Sequence, residues 1–464
     1  MKTLLLLSVT LAACAPVDAP PVDDDDDTPF VTGPWVAEQP AIDIERRGLR
    51  ELRTITHLHS HWSHDACDGD PQPGGVPDED CLQDLRDAMC SNRIDVAFTS
   101  DHPGHADETD LRTLALIRGD DEAIPFGDAG WVNRMTCPSG HQTLFMPGIE
   151  SGPMMPFGVQ EHAGGTWGTW GAEAFEDVRQ RTGAAMWINH TEQRELEELA
   201  TLRPDGIELY QLHANLDPNI RRDFLGLDAF AIFGDLGPFF FAKSNGILDP
   251  PQPDLGIIGF VQPNEPSVLA LEFLGQTQRV GVSGGTDAHQ NVFPVDAGDG
   301  ERVDSYRRMT RWFHTRILTD GDGPDEAVRA LKEARSWVVF EAFGTPLGFD
   351  FHAQDAAPSE MGSELDFAEG LTLHVAPPTL DPRSPRGPDE PLLRTTVYRA
   401  TPERTVLDEW TGGEARDLAV PGPGVYRVEV HITPHHLRPY LGEVADEFAV
   451  KEVPWVLSGA IFVR

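Results

Sequence analysis

Arg53-Thr54-Ile55-Thr56-His57-Leu58-His59 sets two imidazoles two residues apart at the end of a short apolar, β-branched run. In an extended strand residues i and i+2 leave the same face, so His57 and His59 point to one side. Working outward, the same design recurs. DVAFTSDH (95–102) ends in Asp101-His102, TLFMPGIE (143–150) in Glu150, AAMWINH (184–190) in His190, and RVGVSGGTDAH (279–289) in Asp287 and His289. GIELYQ (206–211) and RWFHTRIL (311–318) are two further apolar runs of strand length. Helical patterns lie between: CLQDLRDAMCSN (81–92), AEAFEDVRQRTG (172–183) with Gly183 placed to cap its end, and PDEAVRALKEARS (324–336) with Pro324 near its first turn. Strands alternating with helices predict an α/β fold over residues 51–344, a parallel sheet with right-handed crossovers, either open or closed into a barrel. In a closed parallel barrel the strand ends meet at one mouth, so these acids and imidazoles converge.

The alternation is interrupted over residues 210–280 by an insertion containing LDAFAIFGDLGPFFF (227–241). Its Phe239, Phe240 and Phe241 fit either a lid over the mouth or a satellite core. Beyond residue 344 the pattern changes. LGFDFHA, LTLHVA, RTTVYRA, GVYRVEVHI, EFAVKE and GAIFVR read as strands between Pro- and Gly-rich turns, which predicts a small antiparallel β-sandwich over 345–464. Its His374, His431, His435 and His436 fit no repeated spacing and read as surface or structural residues.

With 36 basic against 76 acidic residues the chain carries a net charge of −40. Partnership with DNA or RNA, which needs a positive face, is excluded on that ground. The opening MKTLLLLSVTLAACAP has a basic Lys2, an apolar run too short to span a bilayer, and small residues before Cys14, as in a secretory signal peptide (residues 1–13). Residues 14–50 follow as an acidic, Pro-rich tether with five consecutive aspartates, Asp23 to Asp27. Leu11-Ala12-Ala13-Cys14 resembles a bacterial lipobox, which implies diacylation of Cys14, contact with a membrane through that anchor alone, and an outer-membrane lipoprotein. The remaining cysteines, Cys67, Cys81, Cys90 and Cys137, are even in number and lack a CxxC pair, which favours two disulfides over a zinc site. Three pairings are possible; Cys67–Cys81 would staple the loop between them.

Mixed imidazole and carboxylate donors suit zinc, manganese or iron better than calcium. His57-Leu58-His59-Ser60-His61-Trp62-Ser63-His64-Asp65 resembles the first motif of the PHP (polymerase and histidinol phosphatase) superfamily. Thr99-Ser100-Asp101-His102, Pro147-Gly148-Ile149-Glu150 and Gly285-Thr286-Asp287-Ala288-His289 are similar to its later motifs, and the layout is closest to its CehA-type metallohydrolases. The resemblance implies a distorted (β/α)7 barrel with two or three divalent transition-metal ions. It places His57, His59, Glu150 and Asp287 on one ion, and Asp65, His102 and His289 on a second. Glu150, His162 and His190 would hold a third. His61 or His64 stands as an alternative to Asp65, because His64 is inserted before it. Asp101, adjacent to His102, points the other way on a regular strand and reads as supporting rather than ligating. Glu208 could orient a ligand, accept a proton or make a plain salt bridge.

No GxSxG, GxGxxG or GxxxxGK[ST] motif occurs. The amidohydrolase superfamily also opens on HxH but needs a mid-barrel lysine, and only Lys243, in the insertion, lies between the motifs. The expected function is therefore an exported hydrolase that activates water with clustered dications and acts on a small-molecule ester, phosphate esters first. Carbamate, ester or amide cleavage is the alternative chemistry, and a metal-containing binding lipoprotein the non-catalytic one.

Overall fold

Apolar, β-branched stretches become strands where both faces can be covered. In the computed structural model the seven runs form the strands Leu49–Ile55, Val96–Phe98, Gln142–Met146, Ala185–Ile188, Gly206–Gln211, Gly281–Gly285 and His314–Thr319. The structure describes residues 35–169 and 171–464; Cys14 and the tether through residue 34 lie outside the described residues. The strands divide between two sheets. Leu49–Ile55, Val96–Phe98 and Gln142–Met146 run parallel in one. Ala185–Ile188, Gly206–Gln211 and Gly281–Gly285 run parallel in the other and are buried at every position. The sheets are knitted together just beyond the first strand: His59 N donates to Ala288 O and Asp287 N to His57 O, at 3.1 and 3.2 Å.

The parallel expectation fails for the seventh strand. His314–Thr319 pairs antiparallel with Leu49–Ile55 on one side and with Ser336–Val339 on the other. Only Phe313 separates it from the helix Tyr306–Trp312, whose Tyr306 hydroxyl donates to His59 O at the mouth. The chain therefore enters this strand from the mouth end and runs against its neighbours.

Hydrogen bonding does not break at residue 344. Ser336–Val339 pairs with the last strand, Val453–Val463, which continues to Gly424–Thr433, Leu392–Ala400 and Arg404–Thr411. One mixed sheet of 13 strands among the described residues thus runs from the first strand into the C-terminal region. A separate antiparallel sheet there joins Pro358–Glu360, Asp350–Gln354, Thr372–Ala376 and Arg416–Ala419. EFAVKE departs from its strand reading: Ala445–Phe448 is a short helix. Its apolar Phe448 and Ala449 are adjacent rather than alternating, and both are buried.

The helices follow their sequence signals. Asp78 caps Glu79–Ser91 through the N–H groups of Asp80 and Cys81. Gly183 ends Ala172–Thr182 at φ 64°, the left-handed region that costs glycine nothing. In the insertion, helix Ala231–Phe240 buries Phe239 against Phe448 and Phe240 against Trp312, whereas Phe241 is partly exposed. The phenylalanine run is thus mainly core. Disulfides join Cys67 to Cys81 and Cys90 to Cys137, tying the loop after the first strand to its helix and that helix to the hairpin beyond.

Candidate metal centre

The strand ends converge. His57, Glu150, His190 and Asp287 form one group and His59, Asp65, His102 and His289 a second; in each, one donor atom per residue lies within 4.8 Å of the others. The groups adjoin through shared carboxylates. His57 Nε2 is 2.9 Å from Glu150 Oε2 and 3.2 Å from Asp287 Oδ1, and His59 Nε2 is 3.2 and 3.3 Å from the same two oxygens. His190 Nε2 approaches Glu150 Oε1 at 3.1 Å. Asp65 Oδ2 lies 3.3 Å from His289 Nε2 and 3.7 Å from His102 Nε2.

Backbone pairing aims these side chains. Leu58 bridges Ala288, and Asp101 bridges Ile149, both in parallel, so residues 57–59, 287–289, 101–102 and 150 sit side by side at one rim. Each imidazole is then turned by a partner on its other nitrogen. Glu208 Oε1 is 2.6 Å from His57 Nδ1, Ser63 Oγ is 3.1 Å from His59 Nδ1, and His102 Nδ1 and His289 Nδ1 lie 3.3 and 2.9 Å from the carbonyls of Glu150 and Asp287. A carboxylate can only accept, so Glu208 keeps a proton on Nδ1 of His57 and makes Nε2 the nitrogen that would give up its proton to a metal ion in the group. Its other oxygen accepts from His190 N at 2.7 Å, so one buried glutamate sets two members. Gly285 is required beside it, since a Cβ there would overlap the Glu208 carboxylate.

The electrostatics suit a dication. Burial works against the ionised form of Glu150 and Asp287, yet His57 and its neighbours hold both carboxyls well below the usual range. Burial would lower His57 and His190 too, but the carboxylates around them raise both well above an ordinary imidazole. Carboxylate charge is therefore concentrated here, and among the described residues it is imidazole protons that offset it. His289 Nε2 is buried with no hydrogen-bond partner although it faces Asp65. An orphaned imidazole nitrogen beside ionised carboxylates, in a set of N and O donors, fits a transition-metal dication.

His162 stands outside both groups. Its Nδ1 accepts from Gly164 N, its ring lies 4.3 Å from that of Trp167, and it borders a different cavity with Glu108 and Trp131. His190, expected with it on a third ion, joins His57 instead. Asp101 is turned away, accepting from Ser60 N and Oγ at 2.5 and 2.9 Å; burial raises its carboxyl to about 7. Of the alternatives, His61 is engaged by the carbonyl of Asp78 and His64 belongs to neither group, whereas Asp65 does. A third acidic group, Asp254, Asp299 and Glu301, is neutralised by Arg307 and Arg308.

Sequence reasoning missed His213 and Gln211. His213 is half exposed, and its Nδ1 lies 3.1 Å from Asp287 Oδ2; the Gln211 amide is 3.2 Å from His190 Nδ1 and 3.3 Å from Asp287 Oδ2. The signal was available, since both follow GIELY at a strand end, as the other site residues follow theirs.

No protein-family model matches the chain, and no curated protein sequence is significantly similar to it. Among solved structures it is similar to a two-domain protein containing a predicted PHP-like metal-dependent phosphoesterase from Bacteroides vulgatus. The likeness is 13% identical, covers 91% of this chain and 99% of that one, and has a TM-score of 0.33. At that score the superposition is too loose to transfer any residue's role.

Proposed function

We propose that the chain is a metal-dependent hydrolase of the PHP type, acting on phosphate esters of small molecules. The observation that carries this reading is the pair of adjoining four-residue groups, each mixing imidazole and carboxylate, with Asp65, His102, His190, Asp287 and His289 lining one cavity. When bound there, two divalent transition-metal ions would supply Lewis acidity toward the ester oxygen and toward the attacking water. The chain's own contribution is positional: Glu208, Ser63 and two backbone carbonyls fix the ligand imidazoles, and His213 lines the cavity on the open side of Asp287. His162, remote from the groups, has no part in this two-ion reading.

Carbamate or carboxylic ester cleavage is the second reading. It is favoured by one feature: no lysine or arginine is among the described residues lining the cavity, so an anionic substrate would meet no cation but imidazolium and metal. Two disulfides are consistent with an oxidising compartment, which supports export and, with Cys14, a lipid-anchored outer-membrane protein. No described helix is long and apolar enough to cross a membrane.

The test is to load the purified chain with Zn or Mn, measure bound metal by elemental analysis, and assay matched phosphate, carbamate and carboxylic esters. Two ions per chain and turnover of phosphate esters are expected, and His57→Ala with His289→Ala should abolish both. Turnover of carbamates alone selects the second chemistry. Full occupancy without turnover of any ester makes the protein a metal-containing binding lipoprotein, and unchanged stoichiometry in the double variant overturns the centre.

A further inference from the structure

The cavity over the two ligand groups has a volume of about 440 Å³, enough for a small organic ligand. Its floor is acidic and imidazole: Asp65, His102, His190, Asp287 and His289. The walls differ in kind. Ile232, Phe233 and Leu236 come from the insertion helix Ala231–Phe240, and Val292, Phe293 and Met309 come from the chain beyond His289. Ile232 and Leu236, four residues apart, share one helix face. One turn further on, Phe239 and Phe240 pack on Phe448 and Trp312, so the wall is held by the core. Phe233 and Val292 nevertheless remain 57% and 53% exposed. Water covers apolar surface at the rim that a ligand's apolar group would cover at a gain.

We infer that this cavity selects esters in which the group beside the scissile bond is apolar, aryl or branched alkyl, and disfavours substrates carrying a second anionic group. The inference rests on the hydrolytic reading above for the word ester, and on the walls alone for the word apolar. A second phosphate or carboxylate against Ile232, Phe233 and Leu236 would find no guanidinium or ammonium among the described lining residues, and the lining adds the carboxylate of Asp217, so its desolvation would be poorly compensated. A ring or branched chain would replace water on both walls.

Binding, measured apart from turnover, tests this. Isothermal titration of the metal-loaded full chain with phenylphosphonate and methylphosphonate compares one anionic head with and without the apolar group. Benzyl alcohol supplies the apolar group with no head. Phenylphosphonate should bind at least tenfold more tightly than methylphosphonate. Phe233→Ser combined with Val292→Ser, both at exposed positions, should cut phenylphosphonate and benzyl alcohol affinity about tenfold and leave methylphosphonate within twofold. Phe230→Ser, at an exposed phenylalanine outside the cavity, should change neither. Equal affinity for the two phosphonates, a preference that survives the double substitution, or no binding of benzyl alcohol overturns the inference. Benzyl alcohol binding lost in the double variant, with no ester hydrolysed by the wild type, keeps the apolar wall and removes the hydrolytic reading instead.

Discussion

Replacing Glu208 by glutamine keeps the shape of the side chain and removes its charge, at a position with no solvent exposure. Two donors face this carboxylate, His57 Nδ1 at 2.6 Å and His190 N at 2.7 Å. An amide offers one oxygen and one NH2, so one of the two must meet a donor. If the NH2 faces His190 N, a buried backbone donor loses its acceptor, at about 1–3 kcal/mol. If it faces His57, the imidazole must accept at Nδ1 and carry its proton on Nε2, the nitrogen aimed at Glu150 and Asp287, and it can no longer ligate. Either arrangement weakens metal binding, and losses of about 10–100-fold are usual when such an orienting partner is removed, or about 1.4–2.7 kcal/mol. The assay is competition for Zn against a chromogenic chelator at fixed pH, with elemental analysis at saturation and circular dichroism to verify folding. The expected result is a Kd raised 10–100-fold, with unchanged stoichiometry once metal is in excess. A folded variant whose Kd stays within twofold of the wild type would refute the claim that Glu208 sets the His57 tautomer.

The other predictions concern the scaffold. Cys90→Ser with Cys137→Ser opens a loop of sequence separation 47, against 14 for Cys67–Cys81. Chain entropy then puts the losses at about 4 and about 3 kcal/mol, so in urea melts the first double variant should have the lower midpoint; the reverse order would contradict a loop-length origin. Burial holds His436 down to about 4, despite its bond to the carbonyl of Phe343. The folded state therefore binds fewer protons than the unfolded one, where histidine titrates near 6.5. Its stabilising share is complete above about pH 6.5 and is lost as pH falls toward 4, amounting to about 3 kcal/mol. His436→Gln should flatten the stability profile in that window, and an unchanged slope would exclude His436 as its source. Asp254 is buried and accepts from Trp35 Nε1 at 2.8 Å, Arg307 Nη2 at 2.6 Å and Arg308 Nη1 at 2.6 Å. Asp254→Ala takes this acceptor from Trp35 and both arginines but leaves Arg307 on Glu301 and Arg308 on Asp299, so a loss of about 1–3 kcal/mol is expected by denaturant titration; a loss below about 0.5 kcal/mol would show that Asp254 adds nothing to those pairs.

Much of the site was legible because strand geometry is local. Residues two apart on a strand share a face whatever the fold, so HxH and DxH, read together with the other strand-end acids and imidazoles, marked candidate ligands, although both pairs sit just past the ends of Leu49–Ile55 and Gly281–Gly285. Glu150 and His190 were legible because each closes an apolar run. His162 was not, because its place depends on a loop whose geometry, with Gly164 N bonded to its own ring, is set by packing on Trp167. Nor was the full grouping: His59 lies 3.2 and 3.3 Å from the carboxylates of Glu150 and Asp287, but it also falls with Asp65, His102 and His289, because which acids meet which imidazoles depends on contacts between distant strand ends. The antiparallel seventh strand escaped notice since periodicity carries no strand direction.

The amino-acid order alone determined most of the strands and helices (EFAVKE excepted), which acids and imidazoles close them, and that the cysteines come in two pairs' worth. These are matters of short-range periodicity, capping and counting. Tertiary structure alone decided that Glu208 reaches across to His57, that His213 joins Asp287, and that an insertion helix supplies the apolar wall above them. Those pairs lie 151 and 74 residues apart in the chain. No local preference encodes such distances; the packing of whole sheets and helices brings them together.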